Sequence, residues 1–147
     1  MARKTGLSRR ALVALGLMTA IAAPGFTEGR GPLPALAKLE PGLWKLRALG
    51  NGNAELPPIC VSNPNVLMQV RHRNQSCSQL VVANDARSAT VQYTCEAGGF
   101  GRTSLLVETP RLAQIDTQGI AGNVPFALRA EARRVGSCPG APGGGGR

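Results

Sequence analysis

The sequence predicts an all-β domain: a small antiparallel sheet or a partly closed β-barrel of about six to eight strands, with one short helix and with disulfide bridges. Three observations lead to this prediction. Apolar and polar residues alternate with period two along several segments, and turn residues separate these segments. Four cysteines follow a start that has the order of a secretory signal peptide, namely Cys60, Cys77, Cys95 and Cys138.

The first residues predict export to the periplasm. Basic residues precede an apolar run over 11–23, which is short for a membrane span, and small residues with a Pro-Gly break follow. We predict a signal peptide over residues 1–22, with cleavage after Ala22 or as late as Ala37. The "SRRALV" stretch also resembles a twin-arginine signal, so the twin-arginine and general secretory routes both stay open.

The rest of the 147-residue chain divides into a linker over 23–38, a β domain over 39–138 and a disordered Gly- and Pro-rich tail over 139–147. A domain of about 100 residues hides only about 60–65% of its unfolded surface, so its core is marginal. The chain has one Trp and one Tyr. We predict that Trp44 and Tyr93 anchor the core and that disulfides supply further stability.

The first half of the domain contains two predicted strands and a helix. In "GLWKLRAL", Trp44 alternates with Lys45, which predicts a strand. Asn51-Gly52 predicts a hairpin turn, and the two prolines of the returning segment "AELPPICV" confine it to a sheet edge or an irregular stretch. "SNPNVLMQV" predicts one short helix, with Asn63 as its cap and Pro64 in its first turn.

The segment from Cys77 to Cys95 predicts a hairpin with its tip near Ala86. In this register four pairs face each other: Cys77–Cys95, Gln79–Tyr93, Val81–Val91 and Ala83–Ala89. A Cys77–Cys95 bridge then closes the open end of the hairpin, which stabilises the fold by about 3 kcal/mol. A Cys60–Cys77 bridge is the alternative, because sequence does not determine connectivity.

Three more strands are predicted in the last third of the domain. "GRTSLLVE" and "RLAQIDTQ" form a pair around Thr109-Pro110. "PFALRAEARRV" is ambiguous, because its alternation fits a strand and its composition favours a helix. We predict a strand, since the sheet needs a closing member.

The residue types offer no catalytic constellation. His72 lies between Arg71 and Arg73 and is interpreted as a solvated loop residue. The carboxylates are scattered, oxidised cysteines leave no thiol nucleophile, and "GGFGR" is better explained as a turn than as a phosphate loop. The chain also has no Cys-x-x-Cys pair for zinc. We therefore predict a non-enzyme with no catalytic residue, no cofactor and no metal ligand.

Several landmarks in order resemble a known family. They are "LEPGLWKL" at 39–46, Cys60 followed by Pro64, "VQYTC" at 91–95 and "ARRVGSC" at 132–138. Together with the four cysteines they resemble the exported Gram-negative bacterial proteins known as domain of unknown function 3617, over about residues 39–138. The resemblance implies an exported antiparallel β domain and a strand over 125–135. It implies no activity, cofactor or catalytic residue.

Arginine dominates the charged residues, and the net charge near +5 from Lys38 onward gives the functional prediction its direction. A basic surface attracts anionic partners, although solubility alone also requires net charge. No aromatic residues alternate with the basic ones, so nucleic acid is not an expected partner. We predict a non-catalytic binding or interaction module of the cell envelope, for an apolar ligand, an anionic envelope lipid or an envelope protein. The alternative is a structural or stress-related envelope protein without a small ligand, and an enzyme is the least favoured.

Overall fold

The computed structural model describes residues 32–50 and 54–140, which form one antiparallel sheet. Its strands are β1 (Gly42–Ala48), β2 (Glu55–Val61), β3 (Cys77–Asn84), β4 (Ser88–Cys95), β5 (Phe100–Thr109), β6 (Leu112–Ala121) and β7 (Val124–Gly136). Two 3-10 helices are η1 (Leu36–Lys38) and η2 (Pro64–Gln69). The all-β prediction is confirmed. The predicted signal peptide, the Asn51-Gly52 turn and residues 141–147 of the predicted tail lie outside the described residues.

The strand order across the sheet is β2-β1-β7-β6-β5-β4-β3, with no closure into a barrel. Strands β3 to β7 follow one another as a meander, and the β1–β2 hairpin joins this meander through β1 and β7. The ambiguous segment is therefore a strand, because β6 and β1 both pair with it. β2 lies at one edge of the sheet, as its prolines predicted.

One face of the sheet carries the core. Strand residues alternate between buried and exposed, and the buried side chains lie on the face that also contacts the two 3-10 helices. η2 contacts both β2 and β5. Since β1, β7 and β6 lie between those two strands, the sheet curves around η2. The largest fully buried apolar side chains are Trp44, Tyr93, Leu46, Leu67, Met68, Leu105 and Ile115.

The core begins before residue 39. Leu33, Ala35 and Leu36 are buried, and all three lie in the segment predicted to be a linker. The turn that carries them is held by the amide of Leu36, which donates to the Leu33 carbonyl at 3.0 Å. The second half of the predicted linker therefore packs as part of the domain.

The β3–β4 hairpin has the predicted register at its open end and departs from it near the tip. Cys77 pairs with Cys95, Gln79 with Tyr93, and Val81 with Val91. A bulge then shifts the ladder, so that Ala83 faces Thr90 rather than Ala89. The extra residue is Val82, and an inserted residue of this kind bends the strand and increases its twist.

The four cysteines form two disulfides. Cys77–Cys95 joins the directly opposed residues at the open end of the hairpin, and Cys60–Cys138 joins edge strand β2 to the segment after β7. The Cys60–Cys77 alternative is not formed. The second bridge closes the longer loop, with a sequence separation of 78 against 18 for the first.

Candidate functional site

His72 is buried, so its interpretation as a solvated loop residue is wrong. The side chain is 1% exposed. It lies one turn beyond η2, and its amide donates to the Gln69 carbonyl at 2.9 Å. Because Leu67 and Met68 of η2 are also buried, the short helix carries the following turn into the core.

Both ring nitrogens of His72 have hydrogen-bond partners in distant strands. Nε2 donates to the Ile120 carbonyl at 3.0 Å, because a carbonyl oxygen only accepts. Nδ1 lies 3.1 Å from the Tyr93 hydroxyl, and the two rings meet edge to face. No carboxylate bonds to the imidazole in the part of the chain that the structure describes. The ring thus has no acidic partner that would orient it as a general base.

Glycines make the room for this pair. A Cβ at Gly99 would lie 2.5 Å from Nε2 of His72, and a Cβ at Gly101 would collide with the Tyr93 hydroxyl. Gly99 also has a φ of +101°, which L side chains rarely adopt. Only Gly98 and Gly99 of "GGFGR" lie before β5, since that strand begins at Phe100, and the glycines of the segment leave space for two buried polar rings.

Two threonines complete the buried polar cluster. The hydroxyls of Thr103 and Thr117 lie 2.7 Å apart and both side chains are buried. Burial raises the pKa of the Tyr93 hydroxyl above its ordinary value of 10.0, while these threonines and the charge of Arg71 act in the opposite direction. We define His72, Tyr93, Thr103 and Thr117 as the buried polar cluster. Within it the Tyr93 hydroxyl lies beside the His72 imidazole, the two threonine hydroxyls bond to each other, and all four side chains are buried in the core.

A basic cleft of about 640 Å³ opens between edge strand β2 and the η2 segment. Its apolar wall includes Ile59, Val66 and Val70, and its polar side is formed by Arg71, Arg73 and Asn74. The Arg71 guanidinium lies 5.5 Å from the centre of the Phe126 ring, a cation–π contact that positions the charge. We refer to the cleft lined by these residues as the basic cleft.

The two arginines of the basic cleft have no acidic partner. All ion pairs within residues 32–50 and 54–140 involve other basic residues, namely Arg47, Arg111, Arg129, Arg133 and Arg134. No described carboxylate therefore lies within 4 Å of the Arg71 or Arg73 guanidinium. Two arginines without a described acidic partner thus line one cleft, and such a lining suits a phosphate or carboxylate.

Two further clefts lie beside exposed strand residues. One of about 730 Å³ is lined by Thr90, Ser104 and Gln114 and by the Asp116–Arg129 ion pair. The other, of about 380 Å³, lies beside Phe100 and Arg102. His72 lines none of the three clefts.

The two residues proposed as core anchors lie in the core. Trp44 is 0% exposed, and its indole N–H donates to the Glu40 carbonyl at 3.1 Å. Tyr93 is 1% exposed and belongs to the buried polar cluster. Neither ring lines a cleft described above, so both contribute to packing.

No described helix has the length and apolar character needed to cross a bilayer. Within the same residues, no three His, Cys, Asp or Glu side chains come together as a metal site would require. Comparisons with protein-family models, with curated proteins and with solved structures give no match to this chain. The resemblance to domain of unknown function 3617 therefore rests on the landmark residues alone.

Proposed function

We propose that this protein is an exported, non-catalytic interaction module of the bacterial cell envelope, and that it binds the anionic headgroup of an envelope lipid through the basic cleft. The observation that carries this proposal is the pair Arg71 and Arg73, which face one cleft without a carboxylate. Guanidinium groups bind phosphate oxygens by paired hydrogen bonds, and Asn74 adds an amide donor.

The lining of the cleft favours an anionic lipid over the other predicted partners. An apolar ligand would leave two charged guanidinium groups desolvated without a counter-charge, which is unfavourable. A headgroup brings that counter-charge, and the exposed Pro58 and the half-buried Val66 can contact the adjoining acyl or glycerol carbons. The two disulfides fit an oxidising compartment such as the periplasm.

Vesicle binding tests the headgroup proposal. The exported protein, without residues 1–22, is mixed with phosphatidylglycerol vesicles and with phosphatidylcholine vesicles, and bound protein is measured by flotation. We expect binding to the anionic vesicles only, decreasing with salt. A basic residue near an anionic surface contributes about 1 kcal/mol, so Arg71→Gln together with Arg73→Gln should weaken binding by about 30-fold. Competition by free inorganic phosphate separates recognition of phosphate itself from recognition of the lipid surface.

The matched control removes the same charge elsewhere. Lys45 and Arg102 are exposed and lie outside the basic cleft and outside the ion pairs of the described residues. Lys45→Gln together with Arg102→Gln should weaken vesicle binding by less than about threefold. If both double variants lose binding equally, then diffuse charge rather than the basic cleft is responsible, and the proposal fails.

The export part of the proposal has its own test. Cleavage after Ala37 would remove Leu33, Ala35 and Leu36, which are buried in the core, so we expect cleavage after Ala22. Mass spectrometry of the periplasmic fraction measures the new N-terminus. Membrane-bound protein that retains Met1 would contradict export by a cleaved signal.

A further inference from the structure

Among residues 32–50 and 54–140, no strand pairs with the outer side of β3, and this edge is uncharged. Within those residues β3 pairs only with β4, and the eight residues from Cys77 to Asn84 include no charged side chain, no proline and no glycine. On the exposed face, Leu80 is 49% exposed and Val82 is 44% exposed. Unprotected edges of this kind present a template for another strand.

The backbone of β3 offers hydrogen-bonding groups outward. The Glu96 amide donates to the Ser76 carbonyl, so these two residues form a hydrogen-bonded pair. Hydrogen-bonded and non-hydrogen-bonded pairs alternate along an antiparallel ladder, so the backbone groups of Ser78 and Leu80 also bond to β4. The amides and carbonyls of Gln79 and Val81 therefore point away from β4. No backbone group outside the sheet bonds to them in the part of the chain that the structure describes.

The opposite edge is protected. β2 contains Pro57 and Pro58, which lack N–H donors, and it begins at the charged Glu55. The β1–β2 ladder also contains an irregularity between Trp44 and Leu46. These features hinder strand addition at β2. The difference between the edges singles out β3 as the pairing surface.

We infer that β3 pairs with β3 of a second copy of this chain, which forms a two-fold antiparallel dimer with a continuous sheet. The register that uses the free groups places Gln79 opposite the partner's Val81, which gives about four main-chain hydrogen bonds. The same register places the two Leu80 side chains opposite each other on the exposed face. This inference concerns a surface separate from the basic cleft and does not depend on the proposed function.

The charge distribution limits where two copies can meet. Residues 23–147 keep a net charge near +5, which opposes association through most of the surface, whereas β3 carries no charge along its length. Repulsion between copies is therefore least at β3. A two-fold pairing uses the same strand on both partners, so it closes at a dimer and leaves only the two protected β2 edges free. The contact is small, so we expect a weak, concentration-dependent dimer.

Sedimentation of the exported protein without residues 1–22, purified with its disulfides formed, tests the dimer over about 10 µM to 1 mM protein. We expect the dimer fraction to rise with concentration. Leu80→Lys places two ammonium groups opposite each other and should weaken association by about tenfold or more. The matched control is Leu106→Lys on central strand β5, where the leucine is 45% exposed, and it should change association by less than about twofold.

Charge pairing distinguishes a lost interface from a damaged fold. Leu80→Glu should also weaken self-association, and an equimolar mixture of Leu80→Lys and Leu80→Glu should associate again. A folding defect would not be rescued by mixing. In addition, Leu80→Cys should form a disulfide between copies, whereas Leu106→Cys should not, because only residue 80 meets its own copy.

Three results would overturn the inference. They are a wild-type chain that stays monomeric at all concentrations, equal effects of the lysine variants at Leu80 and Leu106, and no rescue on mixing the charged variants. Hydrogen exchange adds a further check, since the amides of Gln79 and Val81 should become protected as concentration rises. Protection independent of concentration would mean that residues 23–31 or another peptide cover the edge, and the dimer would be wrong.

Discussion

Replacing Trp44 by alanine should destabilise the domain more than any other single truncation on β1. The indole is 0% exposed and packs against the sheet's core side chains, and its N–H donates to the Glu40 carbonyl at 3.1 Å. A buried aromatic side chain removes about 150–250 Å² from water. At about 25 cal/mol per Å², this burial corresponds to about 4–6 kcal/mol.

The expected loss for Trp44→Ala is about 3–5 kcal/mol, because alanine retains one carbon and the surrounding side chains relax in part. A domain of about 100 residues has a free energy of unfolding of about 5–15 kcal/mol. The variant should therefore retain only a small free energy of unfolding. Trp44→Phe keeps a ring but loses the indole donor, so it should lose only about 1–2 kcal/mol.

Urea unfolding under oxidising conditions measures both variants. Far-ultraviolet circular dichroism is the suitable probe, because the substitution removes the only Trp of the chain. A loss below about 1 kcal/mol for Trp44→Ala would refute the assignment of Trp44 as a core anchor. Free quenching of the wild-type indole fluorescence by iodide would refute it independently.

Three further predictions concern the core and the longer disulfide. Gly101→Ala should lose more than about 2 kcal/mol, because its Cβ would collide with the Tyr93 hydroxyl, whereas Gly136→Ala meets nothing within 4 Å and should be near neutral in urea unfolding. Burial raises the pKa of Tyr93 above 10.0, so the contribution of its neutral hydroxyl to the free energy of unfolding should be fully present below pH 10 and should be lost as the pH rises through the folded-state pKa. Tyrosinate absorbance measures that pKa, and titration at the ordinary value would contradict burial. Replacing Cys60 and Cys138 by serine should cost about 4–5 kcal/mol in urea unfolding, and an unchanged midpoint would refute this.

Alternation predicted most of the strands because one face of an antiparallel sheet is buried and the other is wet. β4 shows this directly, since its buried and exposed residues alternate along the whole strand. The β7 segment was ambiguous from composition, and only its two neighbours in the sheet decide for a strand. The bulge at Val82 could not be predicted, because its neighbours are equally apolar and the register near a tip depends on a single inserted residue.

The burial of His72 could not be predicted from its neighbours in sequence. Two arginines flank it, which is typical of an exposed loop, but its partners Tyr93 and Ile120 lie 21 and 48 residues away. The one local sign was the adjoining apolar helix, whose end places the next turn in the core. The packing of Leu33 and Leu36 was missed for a related reason, since the proline-rich surroundings resemble a linker and their contacts are distant.

Net charge alone predicted an anionic partner but not the place where it binds. We place it at the basic cleft because of how the described carboxylates are distributed. Glu40 pairs with Arg111 and Arg134. In the same way, Glu131 on β7 forms ion pairs with Arg47 at 3.8 Å and with Arg133 at 3.3 Å.

Acidic side chains thus pair with arginines around β1, β6 and β7, whereas the two arginines of the basic cleft, like Lys45 and Arg102, have no acidic partner among the described residues. A surplus of positive charge spread evenly over the surface would serve solubility, and its removal at any position would have the same effect. If the surplus of positive charge instead acts at one cleft, then removing charge there should weaken binding more than removing it elsewhere. The basic cleft has the features of such a site, because apolar side chains line it and the Arg71 guanidinium lies over the Phe126 ring. The comparison of the two double variants in vesicle binding measures that difference directly.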